Sequence, residues 1–190
     1  MKKGVKIVLL FLLGLWSCTE DEVLLFKPGF EVFVLLPAEG LGDRSFADVV
    51  YEGVEAATHD FNFKVNYIVP NNQQEADDWI SRIPRLQGEI PGPYLIILAG
   101  NQYVEAVNQL NPELNGHKIL LLAGIARERD DLASMVYHTY APSYIAGYLS
   151  AQLIPGCRAM VIEGFDAPFL KEYGQGFKDG VTDAGGTVSP

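Results

Sequence analysis

From Phe30 onward, short runs of aliphatic and β-branched residues alternate with stretches in which apolar residues recur every three or four positions. Phe30 to Leu36 (FEVFVLL) predicts a strand ended by Pro37, and Phe63 to Val69 (FKVNYIV) a second ended by Pro70. Tyr94 to Leu98 and Lys118 to Ala123 predict a third and a fourth. Between them, Ser45 to Phe61 places Phe46, Val49, Val50, Gly53, Ala56 and Ala57 at helical spacing, with Asp43 or Ser45 as its cap. Asn72 to Leu86 predicts a helix whose last turn Pro84 disturbs, and Gln102 to Leu110 a third helix. Uniformly apolar strands separated by helices predict a parallel sheet covered on both faces, an α/β doubly wound lobe.

The pattern then restarts. Met135 to Tyr140 predicts a short strand, Pro142 to Leu153 a helix, and Ala159 to Ile162 another strand. Pro168 to Ala184 predicts a helix with Phe169, Tyr173, Phe177 and Val181 on one stripe, and Gly185 to Val188 the entry to a further strand. The expected organisation is a first lobe over residues 30–138 and the start of a second over 139–190. One strand and two helices cannot bury both faces of a sheet, so the second lobe is expected to be truncated, with apolar helix faces lacking cover.

Residues 1–17 (MKKGVKIVLLFLLGLWS) join a basic start to an apolar run too short for a comfortable membrane span, which predicts a secretory signal peptide rather than a core helix. Leu15-Trp16-Ser17-Cys18 looks like a bacterial lipobox, making Cys18 the candidate lipidation site. An ordinary secreted protein with a free Cys18 is the alternative. Residues 18–29 form an acidic tether beginning Thr19-Glu20-Asp21-Glu22. The expected location is extracytoplasmic, anchored at the periplasmic face or the outer cell surface.

Charge narrows the partners. The chain carries 24 acidic and 14 basic side chains, a net charge of −10, and three of the lysines fall in the first 17 residues. So acidic a body excludes nucleic acid, whose binding requires Lys and Arg to neutralise phosphates. Two cysteines, Cys18 and Cys157, exclude a zinc ribbon or a disulfide framework, and Cys157 is expected to be a small buried hydrophobe. His59, His117 and His138 have no ligand-like spacing, so neither a metal nor a cofactor is expected. GxSxG, HExxH and GxxxxGK[ST] patterns are all missing, which leaves hydrolase, zincin and P-loop readings without their central signals.

Ligands on doubly wound sheets sit beyond the carboxyl ends of the strands. The segment Gly40-Leu41-Gly42-Asp43-Arg44-Ser45-Phe46 follows the first strand there. Its glycines permit a tight turn, Asp43 would repel phosphate but accept from neutral hydroxyls such as those of ribose, and Phe46 would stack on a planar base. A capping Asp and a core Phe are the competing roles. Asn101 and Tyr103 offer an amide and an aromatic edge after the third strand, or serve as a cap and a surface aromatic. Phe165 and Asp166 follow the later strand, where helix capping is again the alternative.

Gly42-Asp43-Arg44-Ser45-Phe46 with Tyr51-Glu52-Gly53 resembles the "DDxSFNxxxxEG" opening of the basic membrane protein family, lipoprotein substrate-binding components of ABC transporters that include purine nucleoside receptors. Ala141 to Tyr148 (APSYIAGY) is similar to the family's "EASYLAG" helix. Ile162 to Gly180 is similar to its "GGxxxPxxxxFxxGFxxG" segment. The resemblance runs in order over about residues 30–186. It implies a type I periplasmic-binding-protein-like fold and a non-enzymatic role, in which Asp43 contacts ribose and Phe46 stacks on the base of a nucleoside held between two lobes for an ABC permease. Ala47 stands where the family usually has Asn, and Ala123 where it commonly has Asp. A ligand-sensing lipoprotein of the same fold, uncoupled from transport, is the alternative function.

Overall fold

A computed structural model of the chain describes residues 31–42, 44–88, 91–111, 113–164 and 167–189. Five strands, β1 (Glu31–Leu35), β2 (Lys64–Ile68), β3 (Leu95–Ala99), β4 (Lys118–Leu122) and β5 (Leu132–Met135), form one sheet in the order β2-β1-β3-β4-β5. β1 pairs with β2 and β4 with β5 in parallel, with Glu31 opposite Lys64 and Ile119 opposite Leu132. The intervening helices are α1 (Phe46–Phe61), α2 (Gln73–Ile80) and the short α3 (Val104–Asn108). A second, two-stranded parallel sheet joins β6 (Arg158–Ala159) and β7 (Thr187–Val188) around α5 (Pro168–Asp183), which follows α4 (Tyr140–Leu153). The expected α/β class is therefore the observed one. No helix among the described residues is long and apolar enough to cross a membrane.

The chain divides into two compact units, one of Met1–Ile97 with Glu113–Lys118, the other of Leu98–Pro112 with Ile119–Pro190. This division passes through β3 and β4. In the first unit Val32, Val34, Leu35 and Leu36 of the β1 run are buried with Ala76 and Ile80 of α2. Removing each larger aliphatic side chain from water contributes about 1.5–3 kcal/mol. The helix expected over Asn72–Leu86 is shorter: it stops at Ile80, and Pro84 lies in a separate 3-10 turn over Ile83–Arg85.

The second unit is built differently. Ser143 and Gly147 of α4 are buried, as are Gly174, Gly176, Gly180 and Val181 of α5. A Cβ on Gly147 would overlap the Phe177 carbonyl oxygen, and one on Gly180 the Tyr144 carbonyl oxygen. The two helices therefore meet backbone to backbone. Side chains fasten the seam: Tyr140 Oη donates to Asp179 at 2.8 Å and Tyr144 Oη to Asp183 at 2.9 Å, while Ser143 Oγ donates to the Tyr173 carbonyl.

Several expectations need correction. The strand expected at Met135–Tyr140 lies at Leu132–Met135, because pairing with β4 selects the residues opposite Ile119 to Leu122. The strand expected at Ala159–Ile162 shrinks to Arg158–Ala159. On α1 the buried stripe is Ala47, Val50 and Val54, and Val49 is 64% exposed. On α5 Val181 is buried but Tyr173 is exposed. The large uncovered apolar residues lie instead on α4, where Ile145, Leu149 and Leu153 face water. Cys157 is buried, as expected, and unpaired.

Candidate functional site

Two loops in the first unit follow the carboxyl ends of paired parallel strands, and both deal with helix amino termini in the same way. After β1, the turn closes with Gly40 N–H donating to the Pro37 carbonyl at 3.0 Å. Gly40 (φ 74°) and Gly42 (φ 112°) take conformations that glycine adopts without a Cβ penalty. Ser45 is the cap residue of α1 but makes no capping bond with its side chain. Asp48, in the first turn, folds back: its Oδ1 accepts Gly42 N–H at 2.9 Å and its Oδ2 accepts Arg44 N–H at 2.5 Å. Two N–H groups of the loop that leads into α1 are thus held by the chain's own carboxylate. The sequence signal for this was the spacing Ser45-x-x-Asp48, a capping-box pattern whose acid reaches further back than usual.

After β2, Asn72 Oδ1 caps α2 by accepting Glu75 N–H at 3.0 Å, and Glu75 Oε2 accepts the Asn71 N–H at 2.9 Å and its side-chain amide at 2.7 Å. The Asn71 backbone bond, followed by the side-chain bond, holds the Glu75 carboxyl below its ordinary range. At this second helix start, too, a carboxylate of the chain itself holds a loop N–H.

Phe46, the first residue of α1, is half-buried, whereas Ala47 is 3% exposed. The position where the family usually has Asn thus packs inward here. In the second unit, Gly100 (φ 139°) turns the chain after β3 into a 3-10 turn over Asn101–Tyr103. Asn101 is half-buried. Tyr103 is 1% exposed, so it is a core ring and not the surface aromatic that was one of its expected roles. The end of β4 lies against this turn, since a Cβ on Gly124 would come 3.3 Å from Asn101 Cα. Ala123, at φ 60°, holds a left-handed conformation in which Asp and Asn are enriched and Ala is not.

The structure thus brings Asn101 and Tyr103 onto one turn of the second unit and places Phe46 in the first. Asp43, Phe165, Asp166 and Cys18 lie outside the described residues. Among the described residues no group of three or more His, Cys, Asp or Glu side chains could hold a metal ion.

A parallel sheet with helices between its strands and turn glycines in its strand-end loops defines a doubly wound α/β domain. The chain belongs to the ABC transporter substrate-binding protein PnrA-like (Bmp) family, which matches residues 30–188. Its fold is similar to that of an ABC transporter solute-binding protein from Aeropyrum pernix K1, with 23% identity and a TM-score of 0.72 over 84% of this chain and 46% of that one. It is also similar to GanP, a glucose-galactose binding protein from Geobacillus stearothermophilus, with 18% identity and a TM-score of 0.60 over 86% and 57%. A transcriptional activator of the comK gene from Bacillus halodurans shares the fold at 19% identity and a TM-score of 0.61, over 84% and 52%. The chain spans about half the length of these structures.

Proposed function

We propose that this chain is a ligand-binding part of an extracytoplasmic lipoprotein, attached to the membrane through Cys18, that captures a nucleoside and delivers it to an ABC permease without changing it chemically. Family membership supports the solute-binding role. The observation that carries the ligand class is the carboxylate at each of two helix starts: with Asp48 and Glu75 holding loop N–H groups, a phosphate at the strand-end rim of the first unit would meet like charge. A neutral ligand suffers no such conflict. In this reading Asp43 accepts from ribose hydroxyls, Phe46 stacks on the base, and Asn101, Phe165 and Asp166 complete the contacts. Tyr103 supports the Asn101 turn from the core.

The test is calorimetry of the full chain against adenosine, guanosine, inosine, their monophosphates and a set of sugars. Nucleosides should bind more tightly than their monophosphates. Asp43→Ala should lose about 1.5–3 kcal/mol, roughly tenfold to a hundredfold, through one charge-assisted hydrogen bond. Tighter binding of a monophosphate, or unchanged affinity in Asp43→Ala, would refute the site. Labelling with a palmitate analogue in the wild type but not in Cys18→Ala checks the anchor.

A further inference from the structure

At the amino ends of the strands in the first unit, opposite the loops just described, the segments that lead into β3 and β4 border a cavity of about 740 Å3. Small-molecule sites occupy about 300–1,000 Å3. Pro84, Leu86 and Pro91 give the cavity apolar walls, and Arg85, Gln87 and His117 give it hydrogen-bond donors. Two bonds fix its shape: Asn115 Nδ2 donates to the Pro84 carbonyl at 2.5 Å, and Gly88 N–H to Tyr94 Oη at 2.6 Å.

His117 is 4% exposed, and its ring stacks on that of Tyr94 at 4.9 Å with an interplanar angle of 8°. Its Nδ1 accepts Tyr94 N–H at 3.1 Å, which puts the hydrogen of the neutral ring on Nε2. Burial pushes the imidazole below its ordinary range, so this is the form present at neutral pH. Nothing among the described residues accepts from that Nε2–H, and the one fully buried side-chain nitrogen or oxygen there without a partner is Glu31 Oε2. Nε2 is therefore open to the cavity that its ring lines rather than sealed in the core. A Cβ on Gly92 would lie 3.1 Å from His117 Cε1, so a residue without a side chain leaves this ring edge uncovered.

The other donor is charged. Arg85 is exposed, and among the described residues its side chain makes no hydrogen bond or ion pair. Arg129, by contrast, is bound to Asp131 and to the carbonyls of Leu110 and Asn111. In a chain with 24 acidic and 14 basic side chains, a guanidinium without a partner at the wall of a cavity is placed to take an outside carboxylate. Glu31 does not compete for it. That carboxylate is 2% exposed and lies behind Gly88, with Oε1 accepting from Asn66 Nδ2 at 2.6 Å and Lys64 Nζ 3.6 Å away. One guanidinium among neutral donors balances a single negative charge better than the nearly double charge of a phosphate.

We propose that this cavity is a second small-molecule site, which binds an organic acid with one carboxylate and an apolar body: its oxygens accept from the Arg85 guanidinium and from His117 Nε2–H, and its body rests on Pro84, Leu86 and Pro91. The site stands on the first unit alone and is independent of the nucleoside reading.

Amide NMR of the full chain, titrated with benzoate, benzyl alcohol, benzylamine and inorganic phosphate, tests it. Saturable shifts of the Gly88, Gly92 and Asn115 amides are expected with benzoate, weaker ones with benzyl alcohol, and none with benzylamine or phosphate. Arg85→Gln, at an exposed position, should weaken benzoate binding about tenfold, the loss of one charge-assisted pair. Arg82→Gln removes the same charge from a residue outside the cavity lining and should leave binding unchanged. His117→Asn keeps an acceptor for the Tyr94 N–H but has no donor in place of Nε2, and should weaken binding as well. Excess adenosine should not displace benzoate, so the two sites fail separately. No saturable shift with benzoate, a response to benzyl alcohol, benzylamine or phosphate as strong as to benzoate, or displacement by adenosine overturns the proposal. So does unchanged affinity in Arg85→Gln or in a folded His117→Asn, or an equal loss in Arg82→Gln.

Discussion

Helices α1 and α5 are each 16 residues long and each carries apolar residues at helical spacing, yet they are buried by opposite means. α1 turns Ala47, Val50 and Val54 inward, an aliphatic stripe in the first unit. α5 turns inward three glycines and Val181, and leaves Tyr173 in water. The difference lies in what each helix faces. Against a surface of side chains, bulk on the helix fills space and contributes transfer free energy. Against another helix at close range, bulk holds the backbones apart, so the smallest residues define the contact and hydroxyl and carboxylate pairs such as Tyr140 with Asp179 fasten its edges. Apolar spacing shows that a helix is amphipathic, but it does not say which of these two surfaces awaits it.

The largest expected effect comes from Gly180→Ala. Alanine gains about 1 kcal/mol of helix propensity over glycine, but its Cβ would overlap the Tyr144 carbonyl oxygen and come within 2.8 Å of Tyr148 N, both backbone atoms that cannot rotate away. Separating α4 from α5 should outweigh the gain, for a net loss of about 2 kcal/mol in urea unfolding. An increase in stability would mean that the helices are not in backbone contact. The companion change is Gly53→Ala in α1, where a Cβ would meet nothing within 4 Å. There the propensity gain stands alone, and stability should rise by about 1 kcal/mol. Opposite signs for the same substitution in two helices are the sharpest form of the contrast.

Between these two helices one sees what the sequence could and could not disclose. The apolar run before Pro37 announces β1 because a strand buried on both faces needs no partner-specific detail, and the β-branched and aromatic residues before Pro70 announce β2 although this edge strand is only half-buried. The family segment around Gly42-Asp43-Arg44-Ser45-Phe46 likewise pointed to a loop at a strand's carboxyl end. Roles that depend on what lies across a contact were hidden. Asp48 becomes an internal cap only when the loop curls over α1, and Glu31, a lone acid in an apolar run, becomes a buried carboxylate only through its register beside Lys64 and the approach of Gly88. β5 is displaced from its expected position because the tyrosines at Tyr137 and Tyr140 carry strand propensity while the edge of β4 selects Leu132 to Met135. Ala123 shows the converse, a left-handed backbone retained without the residue types that favour it.

The smallest expected effect separates the two readings of α1 itself. Apolar spacing puts Val49 on the buried face with Val50 and Gly53, and a valine there would lose about 1–3 kcal/mol on truncation to alanine from lost transfer energy and the cavity left behind. In the structure Val49 is 64% exposed, while Val50 and Val54 occupy the interior. Val49→Ala then gives up little burial and removes a β-branched side chain whose χ1 freedom the helix restricts, a propensity gain of about 0.5 kcal/mol. The net change in urea unfolding should lie between zero and that gain, stabilising in sign, with Val54→Ala as the destabilising control measured beside it. Equal losses in the two variants would move the buried stripe back to the face the spacing predicts.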